Sequence, residues 1–166
     1  MTFKRHKEQL LEGRVFLSAA VLPSDGTIVV YGGQLTYYEE SLCSQLEFLF
    51  PLNESFVAGP TLSPEWCNDW TRYNGGIVAT GNRVYASGFI EENSWDRIAE
   101  LKFARLSCSM VELHGSLYVF GGWHVSPLNP YTLSSVERWN PSSGEWNVLE
   151  EEMPVPLAGL AAVVVP

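Results

Sequence analysis

The chain has little of what most enzymes and metal proteins are built from. It carries three cysteines and three histidines in 166 residues. The cysteine number is odd, no CxxC pair occurs, and no histidine stands at ligand spacing from Cys43, Cys67 or Cys108. Neither a disulfide framework nor a zinc site is therefore expected, and no metal or cofactor is assigned. No GxSxG, HExxH, P-loop or dinucleotide-binding motif is present, which argues against an enzyme. Positive charge is scarce too: ten Lys and Arg face nineteen Asp and Glu, a formal charge of −9. That balance disfavours nucleic acid, whose binding depends on cations that neutralise phosphates. No apolar run is as long as a membrane span; the closing LAGLAAVVVP is about half of one. The N-terminal MTFKRHKEQLLEG is polar and basic without an apolar core, so no signal peptide is read there. The expected setting is the reducing cytoplasm, and residues 1–13 are set aside as a tail.

What remains is apolar and aromatic. Hydrophobic residues make up 46% and charged ones 17%, a globular balance. Between Arg105 and Pro154 four short runs, SCSMVEL, SLYVFGG, SSVERW and EWNVLEE, are separated by turn residues. His114-Gly115-Ser116 splits the first two, and Asn140-Pro141-Ser142-Ser143-Gly144 the last two. Such spacing predicts a four-stranded antiparallel meander. The pattern recurs. With Arg14 set against Arg105, Gly32-Gly33 falls on Gly121-Gly122, Glu47 on Glu137, Pro51 on Pro141 and Phe56 on Trp146. Leu49 takes the Trp139 place. A third unit opens at Arg72, and its GIVATGNRVYASGF ends on Gly88 with Phe89 in place of the second glycine. This unit is short by about 15 residues after SWDRIAELKF, which would leave that segment as an edge. Either the blade is three-stranded in its own right, or a splice or gene-model deletion removed its outer strand; the second is preferred. IVVYGG and LYVFGG are apolar almost without alternation, as strands covered on both faces should be.

These residues carry a resemblance. Arg105, Gly121-Gly122, Val136-Glu137, Trp139, Trp146 and Met153-Pro154, in that order, resemble one kelch repeat, the unit of a β-propeller blade. The style is most like the kelch-like (BTB-kelch) proteins, here without BTB or BACK sequence. The resemblance implies an all-β fold: a kelch-type β-propeller fragment of about three four-stranded blades, the middle one truncated and the ring not closed. Its units are placed at 14–71, 72–104 and 105–156, with the start of a further blade at 157–166. It also implies a protein-interaction module whose partner meets the loops on one face. These are 34–41, 89–95 and 123–132 after each glycine pair, with the lead-ins to each first strand. Tyr37, Tyr38, Arg72, Arg105, Trp123, His124 and Tyr131 are the partner-binding candidates, because aromatics and Arg anchor protein interfaces. Against this, each loop aromatic can pack back on its own blade, and the repeated arginines can serve blade structure. Substrate recognition for a cullin-3 ubiquitin ligase, through a BTB domain absent from this sequence, is the role the resemblance implies. An actin-associated kelch protein is the alternative, and a copper radical oxidase remnant a lesser one.

Overall fold

The structure is a computed structural model that describes residues 9–33, 45–52, 55–61, 75–87, 96, 98–124, 126 and 129–165. Among these residues there is no helix; all regular structure is strand. The first sheet runs β1 (Ser18–Val21), β2 (Ile28–Tyr31), β3 (Gln45–Leu49) and β4 (Val57–Thr61), each antiparallel to the one before. Its first hairpin turns at Pro23–Gly26, where the Asp25 carboxylate accepts the Thr27 amide at 2.9 Å. That bond holds the Asp25 carboxyl below its ordinary range.

The segment 105–154 forms the meander that its punctuation predicts. β8 (Ser109–Leu113), β9 (Ser116–Phe120), β12 (Val136–Asn140) and β13 (Glu145–Val148) lie side by side in chain order. Trp139 stands opposite both Leu117 and Trp146. In the first sheet Leu49 stands opposite Ile28, the position matching Leu117, so Leu49 fills the Trp139 place. The two sheets are copies in register.

Between them lies a two-stranded sheet, β5 (Ile77–Thr80) and β6 (Arg83–Ala86). Alternation in these strands serves two neighbours. Ile77, Val84 and Ala86 pack with Val29, Tyr31 and Leu46 of the first sheet. Val78 and Tyr85 pack with Cys108, Met110, Leu117, Val119 and Trp146 of the last sheet. Both faces of the middle sheet are thus covered. In β2, Val29, Val30 and Tyr31 are buried in succession, as its continuous apolar run predicts.

Two expectations need correction. The DRIAELKF segment was read as an edge strand of the short unit. Residues 96 and 98–104 contain no strand, and Glu100 is exposed. The segment instead docks on the following sheet. The Trp146 indole N–H donates to the Ala99 carbonyl at 2.8 Å, and Leu101 joins the core around Val119. Packing of Leu101 into the core around Val119 and the bond to the Trp146 indole favour that placement. Likewise, LAGLAAVVVP was read as a first strand, yet residues 157–165 form no ladder. They run beside the last sheet through single bonds, Gly159 N–H to Ser107 O and Ala162 N–H to Ser109 Oγ, both 2.8 Å. Their start does copy a blade: Gly159 has φ +67°, and Phe16 and Ser107, each also two residues past the repeat's first position, have φ 59° and 53°.

Candidate functional site

The glycine pairs, the arginines and the glutamates form one device, present twice. Gly32-Gly33 and Gly121-Gly122 all have positive φ. Only glycine adopts that conformation without strain. A Cβ on Gly33 would lie 2.8 Å from Val15 O, and one on Gly122 2.7 Å from Leu106 O. Close approach of this turn to the residue after each Arg therefore requires the second glycine. The buried first-glycine carbonyl is then taken by the arginine. Arg105 donates Nη1 to Gly121 O at 2.8 Å and Ser135 O at 3.0 Å, and Nη2 to Glu137 at 2.8 Å. Arg14 donates Nη1 to Gly32 O at 3.2 Å and Gln45 O at 3.0 Å, and Nη2 to Glu47. Each glutamate then accepts two backbone amides from just before its arginine. These are Lys102 and Phe103 for Glu137, at 2.6 and 3.1 Å, and Leu11 and Glu12 for Glu47, at 2.8 and 3.4 Å. Both ion pairs are sealed from solvent.

Arg105 was expected to meet a partner. Its guanidinium is fully buried and bonds to Gly121, Ser135 and Glu137 of its own unit, so its work is structural. Arg72, Tyr37 and Tyr38 lie outside the described residues. The alternative weighed for the arginines, service to the blade, is what Arg14 and Arg105 perform.

The remaining candidates sit on a small sheet of their own. β7 (Arg105–Leu106), β10 (Trp123–His124) and β11 (Tyr131–Thr132) pair antiparallel with β10 in the centre. Strand parity sorts their side chains. Trp123 stands opposite Leu106 and Thr132, and His124 opposite Arg105 and Tyr131. Trp123 and the His124–Tyr131 pair therefore occupy opposite sides of this sheet. On the His124 side the rings form a ladder. Tyr131 lies 5.1 Å from His124, and Phe103 meets His124 edge-on at 5.9 Å. Behind Phe103 stands the Arg105 guanidinium, 6.0 Å from the ring centroid. His124 Nδ1 lies 2.8 Å from the Ala104 carbonyl. A carbonyl only accepts, so Nδ1 carries the proton and Nε2 presents a lone pair in the neutral ring. Phe103 was not among the candidates; its place two residues before the strand gave no signal, because the contact spans the glycine turn.

Two large side chains of this sheet reach solvent: Trp123 is 42% exposed and Tyr131 43%. Both are fixed by strand pairing, not left on a free loop. Among the described residues no group of three His, Cys, Asp or Glu is placed to hold a metal ion, and no helix is long and apolar enough to cross a membrane.

Copied four-stranded sheets stacked on the two sides of a shorter sheet, each closed by its own glycine-pair turn and arginine–glutamate bond, are the blades of a β-propeller of kelch type. The kelch motif model matches residues 104–151. Beta-scruin of Limulus polyphemus is 33% identical over 149 residues, covering 85% of this chain and 15% of that protein. Kelch-like protein 33 of Homo sapiens is 36% identical over 73 residues, 44% of this chain and 13% of that protein. An F-box/kelch-repeat protein of Arabidopsis thaliana is 34% identical over 77 residues, 46% and 19% of the two chains. Among solved structures, that of YjhT superposes with a TM-score of 0.62 at 12% identity, covering 93% of this chain and 60% of its own. The chain belongs to the kelch-repeat family. It spans less than a fifth of these curated relatives.

Proposed function

We propose that the chain is a protein-binding module that grips its partner with the loop sheet bearing Trp123, His124 and Tyr131. The observation that carries this is the exposure of two large rings on backbone that is already ordered. Such side chains lose little freedom on binding, and aromatics at that position supply most of the energy of many interfaces. Tyr37 and Tyr38, which by sequence spacing belong to the matching loop of the first unit, are proposed to contribute to the same contact; Arg72, which by spacing takes the place of Arg14 and Arg105, is not counted with them. The finer reading is that of a cytoplasmic substrate receptor for a cullin-3 ubiquitin ligase, in which a BTB domain supplies the ligase contact. A relative named for a BTB domain joined to kelch repeats supports it.

Affinity capture from cell lysate with the wild-type chain and with Trp123→Ala and Tyr131→Ala tests the binding role. Loss of the same captured proteins in either variant supports it; an unchanged set counts against it. For the finer role, the chain expressed alone should compete with the intact receptor and lengthen the captured partner's half-life. An unchanged half-life together with co-sedimentation on actin filaments would replace it by a cytoskeletal role.

A further inference from the structure

We infer that the ladder Phe103–His124–Tyr131 is built to take a cationic side chain, and that the partner presents a lysine- or arginine-bearing segment there. This rests on the binding role just described and names its chemistry. Inside, the ladder already ends on a cation: Arg105 stands 6.0 Å from the Phe103 ring. Outside, it ends on Tyr131, whose ring is 43% exposed. An ammonium or guanidinium over that ring gains from its negative face. Beside it, His124 contributes an acceptor. Its Nδ1–H is committed to Ala104 O, so Nε2 receives an N–H but has none to give in the neutral ring. No group among the described residues is bonded to Nε2.

The surrounding charge has the matching sign. Eight carboxylates are exposed among the described residues, against three cations, Arg83, Lys102 and Arg138. Three of the carboxylates form the run Glu150–Glu152. This run is tied to the chain just past Tyr131 by the Glu152 bond from Ser134 Oγ, 2.5 Å, and by Met153 N–H to Ser134 O, 2.9 Å. An acidic partner would meet a lone pair and a negative flank; a basic one meets an acceptor, a π face and attraction at long range. Lys102, exposed next to Phe103, is the opposing charge, and its reversal should help.

The test is fluorescence anisotropy with a labelled decapeptide of alternating lysine and glycine, its fully lysine-acetylated copy, and a copy with glutamate for lysine. The lysine peptide should bind the wild-type chain, and the other two should bind at least about tenfold more weakly. Tyr131→Leu and His124→Phe keep the ladder's bulk but remove the π face and the acceptor. Each should weaken the lysine peptide about five- to tenfold, with the circular dichroism spectrum unchanged. Lys102→Glu should tighten it. Glu145→Gln, which removes one negative charge at the opposite, hairpin end of the last sheet, should leave it within about twofold. Equal weakening by Glu145→Gln and the ladder variants would mean adventitious attraction and would overturn the inference. So would equal binding of the glutamate copy. If Tyr131→Ala still abolishes lysate capture while the lysine peptide does not bind, the face is a binding site of other chemistry, and only this inference fails.

Discussion

Removing the Glu137 carboxylate tests the device that holds each blade together. In Glu137→Gln the side-chain shape is kept, but one carboxylate oxygen becomes an NH2 donor. The two Glu137 oxygens accept from three donors: Oε1 from Arg105 Nη2 and Phe103 N, and Oε2 from Lys102 N. An amide has one acceptor oxygen, so at least one of these donors then faces another donor. The guanidinium, with no accessible surface, also loses its counter-charge. Breaking a buried pair from one side costs about 3–5 kcal/mol, which for a chain of this size lowers Tm by roughly 6–20 °C. The double variant Arg105→Met/Glu137→Leu sharpens the argument. Replacing both members of a buried ion pair is often neutral. Here it leaves the Lys102 and Phe103 amides and the Gly121 carbonyl without partners, while Ser135 O keeps the Gly121 amide, at about 1–3 kcal/mol for each orphaned group that water does not reach. The double variant should therefore be no more stable than the single one. Urea unfolding gives the free energies, and amide exchange at Lys102 and Phe103 locates the loss. A double variant restored to wild-type stability would refute the reasoning, because the glutamate would then be a mere counter-ion.

Gly122→Ala should cost several times more than Gly144→Ala in the same unfolding assay. The first Cβ would meet Leu106 O at 2.7 Å with φ +100°, whereas the second meets nothing within 4 Å and bears only the left-handed backbone strain of about 1 kcal/mol. Trp146→Phe should cost about 1 kcal/mol or more, from the lost bond to Ala99 O and the smaller ring. It should also raise exchange or proteolysis within 98–104; a protected segment would show that the tryptophan does not hold it. For Asp25, the lowered carboxyl value means that its stabilisation of the first hairpin is present above the ordinary carboxylate range. It is lost as pH falls through the folded-state value. The Thr27 amide should exchange faster in Asp25→Ala at neutral pH, and the difference should vanish in acid.

The positions of the hubs were legible before any coordinates. Arg14 and Arg105, Glu47 and Glu137, and the two glycine pairs fall in step along the chain because each hub is built from the same few residues at nearly fixed spacing. What they do was not legible. Spacing alone offers an arginine equally to a partner or to a carbonyl, and Arg105 went inward because Gly121 O and Ser135 O converge only after the turn is folded. The site was half legible. Trp123, His124 and Tyr131 were chosen as loop aromatics, but β10 and β11 are two residues long and carry no alternation to read. Their parity, which parts Trp123 from the other two, and the arrival of Phe103 beside His124 come from chain separated in sequence.

The order of residues by itself determined the repeat, the meander of 105–154 and the burial of strands such as Ile28–Tyr31, since turn chemistry and apolar runs are local properties. Tertiary structure alone decided the fate of the segments between the repeats. Residues 98–104 left the short unit for Trp146, and residues 157–165 stayed unpaired along the last sheet. The physical reason is that a strand is completed by its neighbour's backbone: whether a given stretch finds one depends on which edges the packed blades leave within reach, and that is a property of no single stretch.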